Sequence, residues 1–129
     1  MRHTEPKFID VPPEMCEKLE AFRMEHADDP IGGVASQVIF EDDKLKIWEM
    51  TLQPGQASDL HHHALDYYLA IFEGDYVAGV PPKDSGVDIF LCEVPSEGNT
   101  VFIPKGGTEW AYNVGQKTFR EVLIELKDS

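Results

Sequence analysis

Three consecutive histidines, His61, His62 and His63, have the clearest capacity for chemistry in this chain. In an extended strand, side chains alternate between the two faces, so His61 and His63 point to one side and His62 to the other. Neutral imidazole is a common ligand of divalent metals, and a metal on one side of the strand meets only two of the three rings. The run therefore predicts half of a metal site. Taken alone, a histidine run is better explained as a solvated turn that binds nothing, and only its context favours a metal site.

The elements that would position these histidines are short β-strands. From residue 33 onwards, runs rich in Val, Ile, Phe, Tyr and Thr follow one another. They are separated by pairs of turn-forming residues, such as Asp42-Asp43, Pro54-Gly55 and Gly106-Gly107. Short strands at regular intervals predict an all-β sandwich or barrel.

A different pattern precedes the strands. Pro12 and Pro13 are typical of a helix start, and Met15, Leu19 and Phe22 recur near helical spacing. These residues predict a helix over about 13–26, which ends at a cluster of Asp, Pro and Gly residues that favour turns.

Two glycine-anchored segments resemble the sequence motifs of the cupin family: GQASDLHHHALDYYLAIFEG over residues 55–74 and GNTVFIPKGGTEWAYN over residues 98–113. The residues that fit the first motif are Gly55, His61, His63 and Gly74. Those that fit the second motif are Gly98, Pro104, Gly106 and Asn113. Tyr67 stands where the first motif has a glutamate, and Glu109 stands where the second has a histidine. Two of the four usual metal-ligand positions are thus kept and two are changed.

The resemblance implies an all-β fold, the cupin double-stranded β-helix or jelly-roll barrel, with a short N-terminal helix. We therefore predict a helical extension over residues 1–32 and a barrel domain over residues 33–129. The resemblance also implies a site inside one open end of the barrel. Because cupins of this length usually pair, and an exposed strand edge is a ready surface for pairing, we expect a homodimer.

The same resemblance places Glu109 inside the barrel, where an ionised carboxylate is costly unless it is paired, hydrogen-bonded or bound to a metal. His61, His63 and Glu109 are therefore the candidate metal ligands. Two histidines and one carboxylate suit Fe(II) best, with Mn, Ni or Zn also possible. Glu109 is in addition a candidate catalytic residue.

Tyr67 and Asp66 leave alternatives open. Tyr67 is a candidate fourth metal ligand, a hydrogen-bond donor beside the metal, or a catalytic acid or base. A simple aromatic wall of the cavity is an equally good interpretation of Tyr67. Asp66 competes with Glu109 for the role of carboxylate ligand, provided that a bulge turns its side chain inward.

These residues predict a mononuclear metalloenzyme of the dioxygenase, isomerase, decarboxylase or lyase type, acting on a small organic molecule. The alternative is a non-catalytic, metal-free cupin that binds a small molecule, and the two altered ligand positions favour it. A purely structural barrel ranks below both, because such cupins usually contain paired barrels.

Composition excludes several other partners. The net charge of −13 repels phosphate backbones and anionic lipid surfaces, so we expect no nucleic-acid or membrane partner. The N-terminal segment has no apolar core typical of a signal peptide, which favours a cytoplasmic location. Cys16 and Cys92 lack the spacing of a metal or redox motif and are predicted to be free thiols.

Overall fold

A computed structural model describes residues 1–129 and contains eleven strands, one α-helix and one short 3-10 helix. The α-helix, α1, spans Pro13–Glu25, as its sequence pattern predicts, and the 3-10 helix spans Lys83–Ser85. The strands are β1 (Arg2–His3), β2 (Lys7–Ile9), β3 (Gln37–Glu41), β4 (Leu45–Leu52), β5 (His61–His62), β6 (Tyr67–Glu73), β7 (Tyr76–Val80), β8 (Phe90–Glu93), β9 (Asn99–Ile103), β10 (Thr108–Tyr112) and β11 (Phe119–Leu126).

The strands form two sheets. One has six strands in the order β1-β9-β6-β11-β4-β3, and the other has five in the order β2-β8-β7-β10-β5. Every strand pair is antiparallel except β1 with β9. This arrangement confirms the predicted all-β jelly-roll architecture with a short N-terminal helix.

The segment before residue 33 contributes strands as well as the helix. β1 pairs with β9 at the edge of the six-stranded sheet, and β2 pairs with β8 at the edge of the five-stranded sheet. The sequence pattern does not reveal these two strands, because two or three residues are too few to display alternation. The N-terminal segment is therefore hydrogen-bonded to both sheets.

The inward faces of the sheets pack against each other through two hydrophobic clusters. The first contains Met50, Leu52, Ile71, Val94 and Phe119, and the second contains Val34, Tyr67 and Leu123. In β11 the even alternation of buried and half-buried residues places Phe119, Glu121, Leu123 and Glu125 on the inward face. Two carboxyl groups thus enter an otherwise apolar row.

Helix α1 covers the outward face of the five-stranded sheet. Leu19 is fully buried there, and the Phe22 ring meets Trp110 and Tyr112 edge-on at centroid distances of 5.5 Å and 5.1 Å. Burial of these large apolar side chains holds the helix to its own barrel. Pro13 suits the first helical turn because its missing N–H would have no partner there.

Gly98 and Asn113, which fit the second motif, have structural roles. Gly98 adopts a φ of 82°, and a Cβ atom at this position would lie 2.6 Å from the carbonyl oxygen of Ile71, so only glycine fits the turn before β9. Asn113 is fully buried and donates hydrogen bonds to the carbonyls of Leu52 and Lys117, at 2.9 Å and 2.8 Å. Gly98 thus fixes the start of β9, and Asn113 fixes the end of β10, the strand that carries Glu109.

No helix in the structure has the length and apolar character needed to cross a lipid bilayer.

Candidate metal centre

The histidine run lies on β5 and the residue after it, at the edge of the five-stranded sheet. β5 pairs with β10 in a register that sets His61 opposite Glu109. His61 and His63 are each 2% exposed, whereas His62 is exposed and its Nδ1 atom lies 2.7 Å from the Thr108 hydroxyl. The alternation predicted for the run is therefore present, with His61 and His63 inside the barrel.

Glu109 joins these two histidines in one cluster. One potential ligand atom from each of His61, His63 and Glu109 lies within 4.8 Å of the others. The shortest of these approaches that involves Glu109 is 3.9 Å, from its Oε1 atom to Nε2 of His63. Metal–ligand bonds of about 2.0–2.2 Å would draw the three atoms closer. Two imidazoles and one carboxylate are a donor set that suits Fe(II), Mn, Ni or Zn.

His61 is held in an orientation that suits metal binding. Its Nδ1 atom lies 2.8 Å from the carbonyl oxygen of Asp59, so Nδ1 carries the proton and donates to that carbonyl. Burial lowers the pKa of His61, which keeps the ring neutral near pH 7. Its Nε2 lone pair is therefore available to a cation, and a backbone carbonyl on the opposite nitrogen is a common support of metal-bound histidine.

His63 has no hydrogen-bond partner on its ring. Its Nδ1 atom is buried and unpaired, and Nε2 has only the distant contact with Glu109. Burial, followed by the charges of His61 and His62, lowers the pKa of His63 to about 3, so the ring is neutral. A bound cation would supply a partner to one of these nitrogens, and this unsatisfied ring fits a metal.

Glu109 carries a free carboxyl group. Burial raises its pKa to about 7, and no hydrogen bond offsets that cost. Its side chain is 22% exposed, so it borders solvent. A cation would stabilise the ionised form, as a buried carboxylate requires.

Tyr67 lies against the cluster. Its ring stacks on that of His63 with centroids 4.0 Å apart and an interplanar angle of 17°. Burial, and then the charges of Glu109 and Glu121, raise the pKa of the Tyr67 hydroxyl far above its ordinary value. The hydroxyl is therefore protonated, which favours a wall or a hydrogen-bond donor over a phenolate ligand. A catalytic role for Tyr67 stays a prediction.

Asp66 does not join the cluster. Its Oδ1 atom accepts a hydrogen bond of 2.9 Å from the backbone N–H of Lys105, in the turn between β9 and β10. Its backbone also pairs with Ser129 and Leu126. This carboxylate is engaged with the backbone of the second motif, so Glu109 is the carboxylate beside the histidines.

Comparisons with known proteins define the fold. No family model and no curated protein matches the chain. A cupin domain from Bordetella pertussis superposes with a TM-score of 0.63 at 20% identity, covering 76% of this chain and 97% of that one. A protein of the RmlC-like cupin family from Methanocaldococcus jannaschii, described as a double-stranded β-helix, superposes with a TM-score of 0.52 at 14% identity, covering 74% and 93%. The chain has the cupin fold. A single-substitution variant of Bacillus subtilis oxalate decarboxylase also superposes, with a TM-score of 0.51 at 16% identity, over 67% of this chain and 22% of that one.

Two further side chains enter this cupin barrel near the cluster, and sequence reasoning missed their relevance. Glu121 on β11 is 4% exposed and faces inward. Cys92 on β8 has its pKa raised to about 11 by burial and then by the charge of Glu109, so it is a protonated thiol rather than a nucleophile. The alternation of FREVLIEL could have predicted that Glu121 shares a face with Phe119 and Leu123.

A surface cavity of this protein lies apart from the candidate metal centre. It has a volume of about 440 Å³ and lies between α1 and residues 57–60, outside the barrel. Its walls include Phe22, His26, Asp59 and Trp110, but none of His61, His63 and Glu109. The chemistry of the donor set, rather than the size of a cavity, therefore identifies the candidate site.

Proposed function

We propose that this chain is a mononuclear metal-dependent enzyme that acts on a small organic molecule, with His61, His63 and Glu109 as ligands of a divalent ion. The observation that carries the proposal is the convergence of two neutral, buried imidazoles and one unpaired carboxyl within 4.8 Å. Fe(II) suits this donor set best, followed by Mn, Ni and Zn. One protein with a similar fold is an oxalate decarboxylase, so the fold is compatible with an enzyme of this kind.

A bound metal would supply a Lewis acid or an oxygen activator, which fits a dioxygenase, isomerase, decarboxylase or lyase. The chain contributes orientation and protons. The Asp59 carbonyl fixes the tautomer of His61, and the stacked Tyr67 ring restrains His63. The Tyr67 hydroxyl, which keeps its proton at neutral pH, is the group that can donate a hydrogen bond to the substrate.

Metal content tests this proposal directly. Protein purified without an affinity tag and without added metal is expected to contain close to one equivalent of iron, manganese, nickel or zinc per chain. Elemental analysis by inductively coupled plasma mass spectrometry provides the measurement. A metal content near zero, together with failure to take up any of these ions on addition, would refute the proposal that this protein is a metalloenzyme.

Metal affinity is expected to depend on pH through Glu109. This carboxyl must lose its proton to bind a cation, and its pKa in the metal-free protein is about 7. Lowering the pH from 8 to 6 should therefore weaken binding by about tenfold, because one proton competes with the metal. His63, with a pKa of about 3, does not compete in this range.

Titration calorimetry with Co(II) at several pH values measures this dependence. Glu109→Gln should make the profile nearly flat between pH 6 and 8. A flat profile in the unsubstituted protein would contradict the assignment of Glu109 as a ligand.

A metal-free barrel that binds a small molecule without catalysis is the second candidate function. It is favoured by the raised pKa values of Glu109 and Tyr67, which leave both as hydrogen-bond donors near neutral pH when no metal is present. Metal analysis separates the two functions, because only the first requires an ion.

We further propose that the chain forms a homodimer through the outward face of the six-stranded sheet. Helix α1 covers the outward face of the other sheet, but no element covers this one. Tyr68, Phe72 and Phe102 remain 40–44% exposed there, and Tyr68 and Phe102 pair across β6 and β9 with ring centroids 5.2 Å apart. Exposed aromatic side chains in one row favour burial against a second copy about a twofold axis.

Sedimentation velocity is expected to give the mass of two chains at micromolar concentration. Phe102→Glu should shift the mass towards one chain, because it places a charge among the exposed aromatic side chains. Val87→Glu is the matched control, since Val87 is also exposed but lies in the turn after the 3-10 helix. A mass of one chain for the unsubstituted protein would refute the dimer.

A cytoplasmic location and the absence of nucleic-acid and membrane partners remain proposals drawn from composition.

A further inference from the structure

The cavity between α1 and residues 57–60 has a mixed lining of apolar and acidic side chains. Its volume of about 440 Å³ lies within the range of small-molecule sites, about 300–1,000 Å³. Phe22, Ala57 and Leu60 supply apolar surface, and Asp29 and Asp59 supply carboxyl groups. Such a lining suits a ligand that has an apolar body and one polar end.

Two walls of this cavity are joined directly. The backbone N–H of Gly32 donates a hydrogen bond of 2.7 Å to the carbonyl of Leu60, which ties the loop after α1 to the segment before β5. Gly32 also lies against Asp59, since a Cβ atom at residue 32 would lie 2.7 Å from both the Cβ and the Oδ2 atom of that aspartate. A side chain at residue 32 would therefore displace the Asp59 carboxyl group from this wall.

The carboxyl groups in the lining have no strong basic partner. The Oδ2 atom of Asp29 lies 3.0 Å from Nδ1 of His26, and Asp59 forms no ion pair. No lysine or arginine lines the cavity, and none pairs with either aspartate. A cationic ligand would offset these negative charges, whereas an anionic ligand would be repelled.

His26 offers a further polar contact. Its ring stacks on that of Phe22, with centroids 4.3 Å apart and an interplanar angle of 28°. Its Nδ1 atom is engaged with Asp29, which leaves the Nε2 atom for a ligand. When Nδ1 of the neutral ring donates to Asp29, Nε2 has a lone pair that can accept a hydrogen bond from an ammonium N–H.

Two other functions fit this cavity less well. Ser58 is not arranged as a nucleophile activated by His26, because its hydroxyl donates to the Asp59 carbonyl at 2.9 Å and accepts from the Ala111 N–H at 2.8 Å. A bound metal ion is also disfavoured, since the candidate metal centre is the one group of three histidine, cysteine or acidic side chains in the chain whose ligand atoms converge. The cavity therefore suits binding of an organic molecule.

We propose that this cavity is a second ligand site, which binds a small organic amine in its cationic form. The apolar body of the amine packs against Phe22 and Leu60, and its ammonium group faces Asp29 and Asp59. Three N–H donors on one ammonium group can serve both carboxylates and the Nε2 atom of His26. The site shares no side chain with the candidate metal centre, so it does not depend on the metalloenzyme proposal.

Phenethylamine and phenethyl alcohol test the charge requirement, since they differ only in an ammonium and a hydroxyl group. Titration calorimetry on the full-length protein, with a metal chelator present, gives both dissociation constants. The alcohol is expected to bind at least about fivefold more weakly, because two exposed carboxylates each add a modest attraction for a cation. Hydrocinnamate, an anion with the same ring, should not bind. The ratio of the two Kd values should be the same with Zn(II) added in place of the chelator.

A double variant tests the assignment to the two aspartates. In Asp29→Asn/Asp59→Asn the ratio of Kd for the alcohol to Kd for the amine is expected to fall to about one, because the amides preserve shape and hydrogen-bond acceptors but remove the charge. The matched control is Asp43→Asn/Asp88→Asn, which removes two exposed carboxylates outside the cavity. This control should leave the ratio within about twofold of its original value.

Proton–nitrogen correlation spectra locate the bound amine. Its addition is expected to shift the Gly32 amide and the Trp110 indole signals, because both residues line the cavity. Absence of amine binding, or equal Kd values for the amine and the alcohol, would overturn the inference. Equal loss of preference in both double variants, or shifts confined to the residues of the metal centre, would overturn it as well. None of these results bears on metal content, so the two proposals fail independently.

Discussion

Replacing either His61 or His63 by alanine is expected to weaken the binding of Co(II) or Fe(II) by more than about 100-fold, because loss of a residue that merely supports a ligand already costs about 10–100-fold. His62→Ala should bind metal as the unsubstituted protein does. The physical reason is that His61 and His63 are buried beside Glu109, whereas His62 faces solvent and contacts Thr108. Titration calorimetry against a competing chelator measures the affinities.

Each of these variants needs a test of folding, since His61 and His63 are buried. A circular-dichroism spectrum and a cooperative thermal transition like those of His62→Ala would show that lost binding reflects a lost ligand. Equal loss of metal from all three variants would mean that the histidine run does not behave as a strand with two faces. The assignment of His61 and His63 to the inner face, and of His62 to the outer face, would then be wrong.

Glu109→Gln is expected to weaken metal binding by at least about tenfold, equivalent to about 1.4 kcal/mol. Glutamine preserves the volume of the side chain but replaces an anionic ligand with a neutral amide oxygen, which is a poorer donor to a divalent cation. Glu109→His should retain most of the affinity, because it introduces the residue that the cupin motif usually has at this position. The comparison therefore separates loss of charge from loss of a ligand.

Asp66→Asn is the matched control for this prediction, since Asp66 is the carboxylate that the sequence leaves as the alternative ligand. Its carboxylate accepts a hydrogen bond from the Lys105 backbone, so the substitution should leave metal content unchanged. Should Asp66→Asn lose metal while Glu109→Gln keeps it, Asp66 would be the ligand. Glu109 would then contact the substrate or a metal-binding side chain rather than the ion itself.

Much of the fold could be predicted because its signals are local. Pro13 and the spacing of Leu19 and Phe22 indicate α1, and glycines at turns with positive φ mark the strand ends. The alternation of side chains predicted the burial of His61 and His63. The strands β1 and β2 could not be predicted, because their partners are distant in the chain and pairing rather than propensity forms them.

The amino-acid sequence by itself determined the all-β barrel, the helix and the inward faces of the strands, since turn chemistry and a two-residue period act within a few residues. It left the choice between Glu109 and Asp66 open, and it did not distinguish Glu121 from Glu125. Only the tertiary structure shows that Glu109 rather than Asp66 lies beside the histidines, and that Glu125 rather than Glu121 has a hydrogen-bond partner. Which carboxyl meets a histidine, a backbone N–H, an indole or nothing depends on the register between β5 and β10 and between β11 and its neighbours. That register is set by long-range packing of the two sheets, which no local pattern contains.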